Sequence, residues 1–257
     1  RNEIMSRARL RAEIETWGTV LFLDVASTKV TEADLQNGID ECRQYFYYIN
    51  EVFSTYIPDS QISLLRSGKL KLSDCDGSVR EVWNACLYAK AVSDGYFDPW
   101  CVEGGFDPSG YVKGWAADKA ISILKAHGAE NIQINCGGDL SLAGGFENGA
   151  PWSIGIRHPE DPKTIVKVFE IMDGAIATSG TYERGSHIID PFTGTIAIGA
   201  RSATVLGPDG GVAEALATAL IVAGKDGAKW FTKPELAGYS AWVIERHSDQ
   251  AWGINLK

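Results

Sequence analysis

The chain has 257 residues, with 24 Lys and Arg against 33 Asp and Glu, which gives a formal net charge of −9. This length allows one large domain or two small ones, and an apolar fraction of 45% is enough for a hydrophobic core. The acidic balance excludes the basic footprint of a nucleic-acid-binding protein and argues against anionic membrane surfaces. An anionic ligand would therefore need local support from backbone amides, a metal ion or a few placed cations.

Glycine is in excess, at 28 of 257 residues, and glycine pairs recur along the whole chain. This pattern predicts one continuous domain with many tight turns. We expect no membrane span, because no apolar run approaches about 20 residues. The five widely spaced cysteines predict reduced thiols and a cytoplasmic location. The alternative is export or membrane anchoring, if an N-terminal signal has been removed.

The first half of the chain alternates between helical and extended patterns. Residues 3–15 are charge-rich with helical spacing and predict a helix, whereas residues 19–26 predict a strand. Amphipathic helices are expected over 31–52, 78–93 and 113–127, the last of them closed by a glycine at position 128.

The second half is richer in strands. Short β-branched or alternating runs separated by Gly, Asp and Pro predict strands within 131–145, 152–159, 166–180, 197–206 and 239–246. Residues 211–223 are apolar on nearly every face and predict a buried helix. Because strands follow strands without regular helical crossovers, we expect an α+β fold of mixed, largely antiparallel sheets flanked by helices.

Two glycine-containing segments are candidates for ligand binding. In FDPSGYVKGWAAD (106–118), the start of the predicted helix and Lys113 would suit a phosphate, although an ordinary turn and cap explain the same residues equally well. In NIQINCGGDLSLAGG (131–145), Gly137-Gly138 allow close backbone approach to a ligand, but a tight hairpin is the favoured explanation.

Two further segments carry titratable groups. His187 lies among hydroxyl side chains and precedes Asp190, which is compatible with a general base or with a structural histidine bonded to a backbone carbonyl. Glu214 and Thr218 are one helical turn apart in an apolar run, where a carboxylate and a hydroxyl suit a hard cation. The competing explanation places Glu214 at the solvent end and has Thr218 bonded back to a carbonyl.

Taken in order, these segments resemble the ApbE-like FAD:protein FMN transferases over residues 17–224. Each motif is loose, but eight of them in the family order are specific. The matching motifs are Trp17-Gly18-Thr19, FSTYIPDSQIS (53–63), SDGYFD (93–98), DPSGYVKGWAAD (107–118), NCGGD (135–139), TSG (178–180), HIIDPFTG (187–194) and AEALATAL (213–220).

The resemblance implies a single domain of ApbE or T-fold-like architecture over 17–257, preceded by an N-terminal extension or helix over 1–16. It also implies a metal-dependent transfer of FMN. FAD is the substrate, Mg²⁺ or another divalent cation is the cofactor, and AMP is released. The partner is an acceptor flavoprotein with an S/T-G-A-S/T type motif, whose Thr or Ser hydroxyl receives the FMN. His187 matches the catalytic base, and Gly110, Glu214 and Thr218 match the metal ligands. Positions that match the FAD pocket are Trp17, Tyr56, Tyr96, Phe97, Asp98, Asp107, Lys113 and Ile189.

The chain departs from the family pattern at several positions. Trp17 replaces a common Met, Glu214 replaces the usual Asp, and Ala217 stands where a second Asp or Ser often lies. The segment between Asp98 and Asp107 is also short. These departures keep two alternatives open, namely an FAD pyrophosphatase that gives FMN and AMP, and a non-catalytic FAD-binding protein.

Overall fold

The computed structural model describes residues 6–183 and 186–257. Its largest element is an eight-stranded sheet in which neighbouring strands pair antiparallel. In spatial order the strands are β1 (Ala8–Thr16), β2 (Thr19–Ser27), β3 (Asn131–Cys136), β4 (Asp139–Ala143), β7 (Gly174–Gly180), β10 (Ser202–Gly207), β11 (Ser240–Ile244) and β12 (Ala251–Ile254). Two separate hairpins pair β5 (Trp152–Arg157) with β6 (Ile165–Ile171), and β8 (Tyr182–Glu183) with β9 (Ser186–His187).

Helices cover one face of the large sheet. They are α1 (Glu32–Phe53), α2 (Gln61–Arg66), α3 (Gly77–Val92), α4 (Ser109–Ala126) and α5 (Gly210–Ala223), with 3₁₀ segments at Leu72–Asp74, Gly224–Thr232 and Pro234–Leu236. α1 packs on β1, α4 on β3 and β4, and α5 on β7 and β10, so one continuous core forms between the sheet and these helices. The α+β fold expected from the sequence is confirmed.

The opposite face of the sheet is covered in its middle by the β5–β6 hairpin. Leu142 on β4 and Ile176 on β7 form a second apolar cluster with Trp152, Ile154 and Ile171. This division follows from the alternation of side chains along a strand. Ser141, next to Leu142, points instead toward α4 and donates to Asp118.

Most of the elements expected from the sequence are present. Thr31 caps α1 through a reciprocal capping box with Asp34, as a hydroxyl before an acidic third residue favours. The hairpin explanation of Gly137-Gly138 is confirmed, because both residues have positive φ (65° and 97°) and form the two-residue turn between β3 and β4.

Three elements differ from the expectation in type or in extent. The helix predicted over 3–15 is wrong, because alternating charged and apolar residues give the strand β1, which pairs with β2 from Ala8 to Thr16; residues 1–5 lie outside the described part. α4 begins at Ser109, one turn earlier than predicted, after Asp107 accepts the Ser109 N–H. Of the run 197–206, only the part from Ser202 onward is in a strand.

Two further observations concern the cysteines and the helix lengths. All five cysteines are unpaired; four are buried and Cys101 is exposed. No helix within the described residues is long and apolar enough to cross a membrane.

Candidate active site

A cavity of about 190 Å³ opens where four parts of the chain meet. These are the loop after α3, the first turn of α4, the segment that follows β9, and the outward side of α5. Nine of the residues assigned from the family resemblance line it: Tyr96, Phe97, Asp98, Asp107, Gly110, His187, Ile189, Glu214 and Thr218. Residues that are up to about 120 positions apart in sequence are thus brought to one place by the packing of α4 and α5.

The loop between α3 and α4 is folded by its own carboxylates. Asp98 accepts the Trp100 N–H (2.9 Å) and forms an ion pair with Lys90 (2.9 Å). Asp107 accepts the Ser109 N–H (3.0 Å), which starts α4 at the edge of the cavity. Both carboxylates therefore shape the loop in addition to lining the cavity.

Glu214 on α5 is a buried carboxylate, only 4% exposed, so it does not lie at a solvent end of the helix. Its Oε2 accepts the backbone N–H of Gly114 on α4 (2.8 Å), and its Oε1 lies 4.0 Å from Nζ of Lys113. Thr218 follows one turn later, and its hydroxyl lies 3.4 Å from the hydroxyl of Ser179 on β7. α5 therefore presents a carboxylate and a hydroxyl on the same side, as the spacing predicts.

Gly110 in the first turn of α4 faces the same part of the cavity. A Cβ added at Gly110 would lie 3.9 Å from Oγ1 of Thr218, so this backbone and this hydroxyl are neighbours. In a regular helix the Gly114 N–H donates to the Gly110 carbonyl; here this N–H donates to Oε2 of Glu214.

The donors offered by these three residues are a carboxylate, a hydroxyl and a carbonyl, which are the hard oxygen ligands that Mg²⁺ prefers. Within the described residues, no cluster of three or more His, Cys, Asp or Glu forms a metal site. A cation in the cavity would thus be held by a mixed set of protein oxygens together with ligand oxygens. Ala217 is fully buried and adds no oxygen.

The charge of the cavity points to the same need for a cation. Three carboxylates line it, from Asp98, Asp107 and Glu214, and none of its described lining residues is Lys or Arg. An anionic group such as a diphosphate would be repelled by Glu214 and Asp107 unless a cation accompanied it. The lysines nearest to these carboxylates, Lys90 at Asp98 and Lys113 near Glu214, do not line the cavity.

His187 lies at the exposed side of the cavity. Its Nδ1 is 3.3 Å from the carbonyl oxygen of Thr181. Because a carbonyl only accepts hydrogen bonds, the neutral ring carries its proton on Nδ1 and has Nε2 as its basic nitrogen. His187 therefore has the bond to a backbone carbonyl that is expected of a structural histidine and also lies beside the cavity.

Three of the assigned residues do not line the cavity. Trp17, in the β1–β2 turn, donates from its indole to the carbonyl of Phe46 (3.0 Å) and packs edge-on against that ring. Tyr56 is 87% exposed in the turn after α1. Lys113 lies behind Glu214 and forms an ion pair with Asp139 (3.0 Å), which offsets the cost of burying its charge.

The structure also adds residues that the sequence did not single out as site residues. Ser109 and Cys101 line the cavity, and Arg66 holds the loop before α4 by donating to the carbonyls of Glu103 (2.7 Å) and Gly105 (2.9 Å). Although the residue as a whole is exposed, partial desolvation of its sulfur, with a smaller contribution from Asp98, raises the pKa of the Cys101 thiol, so the thiol is protonated at neutral pH. Ser109 lies between two assigned residues and was accessible from that motif, whereas Cys101 and Arg66 carry no local signal.

The comparison with known proteins covers α4, α5 and the segment that carries His187. The model of the ApbE family matches residues 103–242, which is more than half of the chain. A FAD:protein FMN transferase from Vibrio cholerae is 39% identical over 130 residues, which cover 47% of this chain and 39% of that protein. A FAD:protein FMN transferase from Escherichia coli is 33% identical over 147 residues, which cover 53% of this chain and 41% of that protein. The matched region thus spans about two fifths of the length of these curated relatives.

The fold is shared over a longer span. The crystal structure of the ApbE protein from Thermotoga maritima superimposes with a TM-score of 0.83 at 23% identity, covering 96% of this chain and 97% of that one. The flavin transferase ApbE from Vibrio cholerae gives a TM-score of 0.80 at 23% identity, with the same coverage of both chains. At this identity the likeness concerns the fold alone.

Fold and site together define an α+β protein with an oxygen-lined, acidic cavity between two packed helices and a histidine-bearing segment. With the family model matched across these same elements, the chain belongs to the ApbE family.

Proposed function

We propose that the protein transfers FMN from FAD to a Thr or Ser hydroxyl of an acceptor flavoprotein, in a reaction that depends on a divalent cation and releases AMP. Its family membership and the names of the curated relatives support this reaction. The observation that carries the proposal is the placement of Gly110, Glu214 and Thr218 on one wall of a cavity whose lining also includes His187.

The cavity is large enough to enclose only part of a dinucleotide. Its volume of about 190 Å³ is below the roughly 300 Å³ at which pockets for drug-sized ligands begin. FAD would therefore place its diphosphate and one ring system here and extend the rest across the surface. Tyr96, Phe97 and Ile189 supply the apolar surface against which a ring can pack.

His187 is the residue proposed to move the proton. The oxygen of the acceptor hydroxyl forms a bond to the FMN phosphorus of FAD, and the bond from that phosphorus to the bridging oxygen breaks. AMP leaves with the bridging oxygen, and the hydroxyl proton passes to Nε2 of His187. The bond between Nδ1 and the Thr181 carbonyl orients the ring for this role.

Gly110, Glu214 and Thr218 are the residues proposed to hold the cation. A bound Mg²⁺ would supply the positive charge that a diphosphate needs among these carboxylates. The chain itself contributes position: Glu214 is fixed to α4 through Gly114, and Thr218 is fixed one turn further along α5. Positioning and electrostatics should therefore account for more of the rate than the proton transfer.

The test is the covalent product. The full chain is incubated with FAD, Mg²⁺ and a flavoprotein fragment that contains an S/T-G-A-S/T sequence, and the fragment is weighed by mass spectrometry. We expect an FMN-sized adduct that disappears on chelation. Thr218→Val should lower the rate of adduct formation at least about tenfold. The matched control is Thr204→Val, which removes the hydroxyl of a buried threonine on the other face of the sheet.

The same assay separates the other two activities. FMN and AMP released without an adduct would replace transfer by hydrolysis, in which water takes the place of the acceptor hydroxyl. FAD that stays intact for hours with Mg²⁺ and acceptor present would contradict both enzymatic functions and leave a binding protein.

A further inference from the structure

α4 and α5 carry the same short pattern, a glycine followed four residues later by an acid. The two copies are Gly114 to Asp118 and Gly210 to Glu214. Each acid is bonded to the glycine of the other helix: the Gly114 N–H donates to Glu214 (2.8 Å), and the Gly210 N–H donates to Asp118 (2.7 Å). The two helices are thus joined by a reciprocal pair of bonds from backbone amide to carboxylate, which we call the helix clamp.

The glycines are what allow the helix clamp to close. A Cβ at Gly114 would collide with the carbonyl oxygen of Gly210, and a Cβ at Gly210 would press on the carbonyl of Gly114. Gly114 lies opposite Glu214 and Asp118 lies opposite Gly210, so the helices run antiparallel where they meet. At this separation each carboxylate reaches a backbone amide that a wider helix pair would hold out of range.

Strand β4 supports both halves of the helix clamp. Asp139 and Ser141 are two residues apart and so share the face toward the helices. Ser141 donates its hydroxyl to Asp118 (2.7 Å), and Asp139 pairs with Lys113 (3.0 Å), the lysine that lies next to Glu214. The position of α5 is therefore set by these links through α4 and β4 in addition to its direct packing on β7 and β10.

We propose that Asp118, oriented by Ser141, is a positioning residue for the cation site: through Gly210 it fixes where α5 lies on α4, and so where Glu214 and Thr218 face the cavity. Asp118 itself does not line the cavity. Gly210 and Glu214 are one turn apart on a rigid helix, so a displacement at Gly210 is transmitted to Glu214 nearly unchanged. The inference rests on the proposed function only in requiring that this site bind a cation.

A simple helix cap would act differently, and the chain contains one for comparison. Asp209 is the N-cap of α5, and its side chain accepts the Val212 N–H (2.9 Å) within the same helix. Asp209 therefore stabilises α5 but moves with it, whereas Asp118 ties α5 to α4. Removal of either side chain deletes one hydrogen-bond acceptor at the N-terminal end of α5. Only the removal of Asp118 breaks a bond between α5 and α4.

The experiment measures Mn²⁺ binding to the folded full chain by electron paramagnetic resonance, without FAD. Asp118→Ala should weaken Mn²⁺ binding about 10- to 100-fold, the range for residues that orient metal ligands. Asp118→Asn should stay within about threefold of the wild type, because its amide can still accept from Gly210 and can donate to Ser141. Asp209→Ala should lower the melting temperature but leave Mn²⁺ affinity within about twofold.

Equal losses of Mn²⁺ affinity in Asp118→Ala and Asp209→Ala would overturn the proposal, because they would mean that α5 only needs a cap. If Asp118→Ala does not fold, Ser141→Ala decides: a loss of about three- to tenfold supports the proposal, and unchanged affinity overturns it. If the Mn²⁺ affinities of the variants follow the predicted order but the wild type forms no FMN adduct, the proposed function alone is refuted. A wild type that binds no Mn²⁺ without FAD would overturn the positioning role proposed for Asp118, whereas the proposed function, in which FAD oxygens help to hold the cation, is decided by the adduct assay.

Discussion

The two walls of the cavity are built in different ways. The inner wall, from α4 and α5, is largely buried, and its carboxylate, Glu214, accepts a backbone N–H of the neighbouring helix. The outer wall is exposed: Tyr96 is held by ring contacts to Phe192 (4.7 Å) and Trp230 (5.4 Å), and the Phe192 side chain is 62% exposed. The inner wall is thus part of the core, so its geometry depends on the stability of the fold, whereas the outer wall combines exposed side chains with a contact between Tyr96 and the buried Trp230.

The largest expected effect separates chemistry on the outer wall from cation binding on the inner one. His187→Ala should lower the rate of FMN transfer about 10²- to 10⁴-fold, because it removes the general base. Mn²⁺ affinity and melting temperature should stay at wild-type values, because His187 is exposed and lies on the outer wall. The measurements are the initial rate of adduct formation, Mn²⁺ binding and thermal unfolding.

The control for this variant is His247→Ala, which removes an exposed histidine elsewhere on the surface. It should leave all three measurements unchanged. A His187→Ala protein that also lost Mn²⁺ affinity would mean that the two walls are coupled, contrary to the comparison.

The residues of the inner wall were also easier to predict from the sequence than those of the outer wall. Glu214 and Thr218 are four residues apart on an apolar helix, so their shared face follows from helical geometry alone. The partners of Glu214 do not follow in this way, because Gly114 is 100 residues away and reaches it only through the packing of α4 on α5. The same limit explains Lys113: local sequence suggests a phosphate ligand, whereas the tertiary structure pairs it with Asp139 on β4.

The prediction of a helix over 3–15 failed for a different reason. The charges of this segment alternate with apolar residues, which fits a strand with one solvated face, yet their density also fits a polar helix. Only the pairing of Ala8–Thr16 with β2 decides between the two. The outer wall lies between these cases, since its motif was recognised but its contacts with Trp230 come from the far end of the chain.

A second prediction tests the electrostatic cost of the helix clamp. Burial raises the pKa of Asp118 to about 6, even though the bonds from Gly210 and Ser141 lower it. The native state therefore keeps this proton over a range of pH in which the unfolded chain, with a value near 3.8, has lost it. The contribution of this group to stability consequently falls as pH rises through this window, and the loss is complete above about pH 6.

Asp118→Asn removes this titration, so the stability of the wild type relative to the variant should fall by up to about 3 kcal/mol between pH 3.5 and pH 7. Urea unfolding of the metal-free proteins across this range measures the difference. Asp226→Asn makes the same substitution at an exposed carboxylate outside the helix clamp and serves as the control. Parallel curves for the wild type and Asp118→Asn would contradict the assignment.

The smallest expected change in free energy tests whether close helix approach is what joins the cation site to the core. Gly114→Ala adds a methyl group against the backbone carbonyl of Gly210, which cannot rotate away as a side chain can. We expect a loss of about 1–3 kcal/mol in the free energy of unfolding, together with weaker Mn²⁺ binding, because α5 must move away from α4.

Gly77→Ala makes the same change in α3, where the nearest atom is the end of the flexible Arg80 side chain at 3.8 Å. That variant should be neutral or more stable by up to about 1 kcal/mol, because alanine restricts the unfolded chain, and its Mn²⁺ affinity should be unchanged. If Gly114→Ala loses stability but keeps its Mn²⁺ affinity, the inner wall can yield without moving Glu214, and the proposed dependence of the site on core packing is wrong.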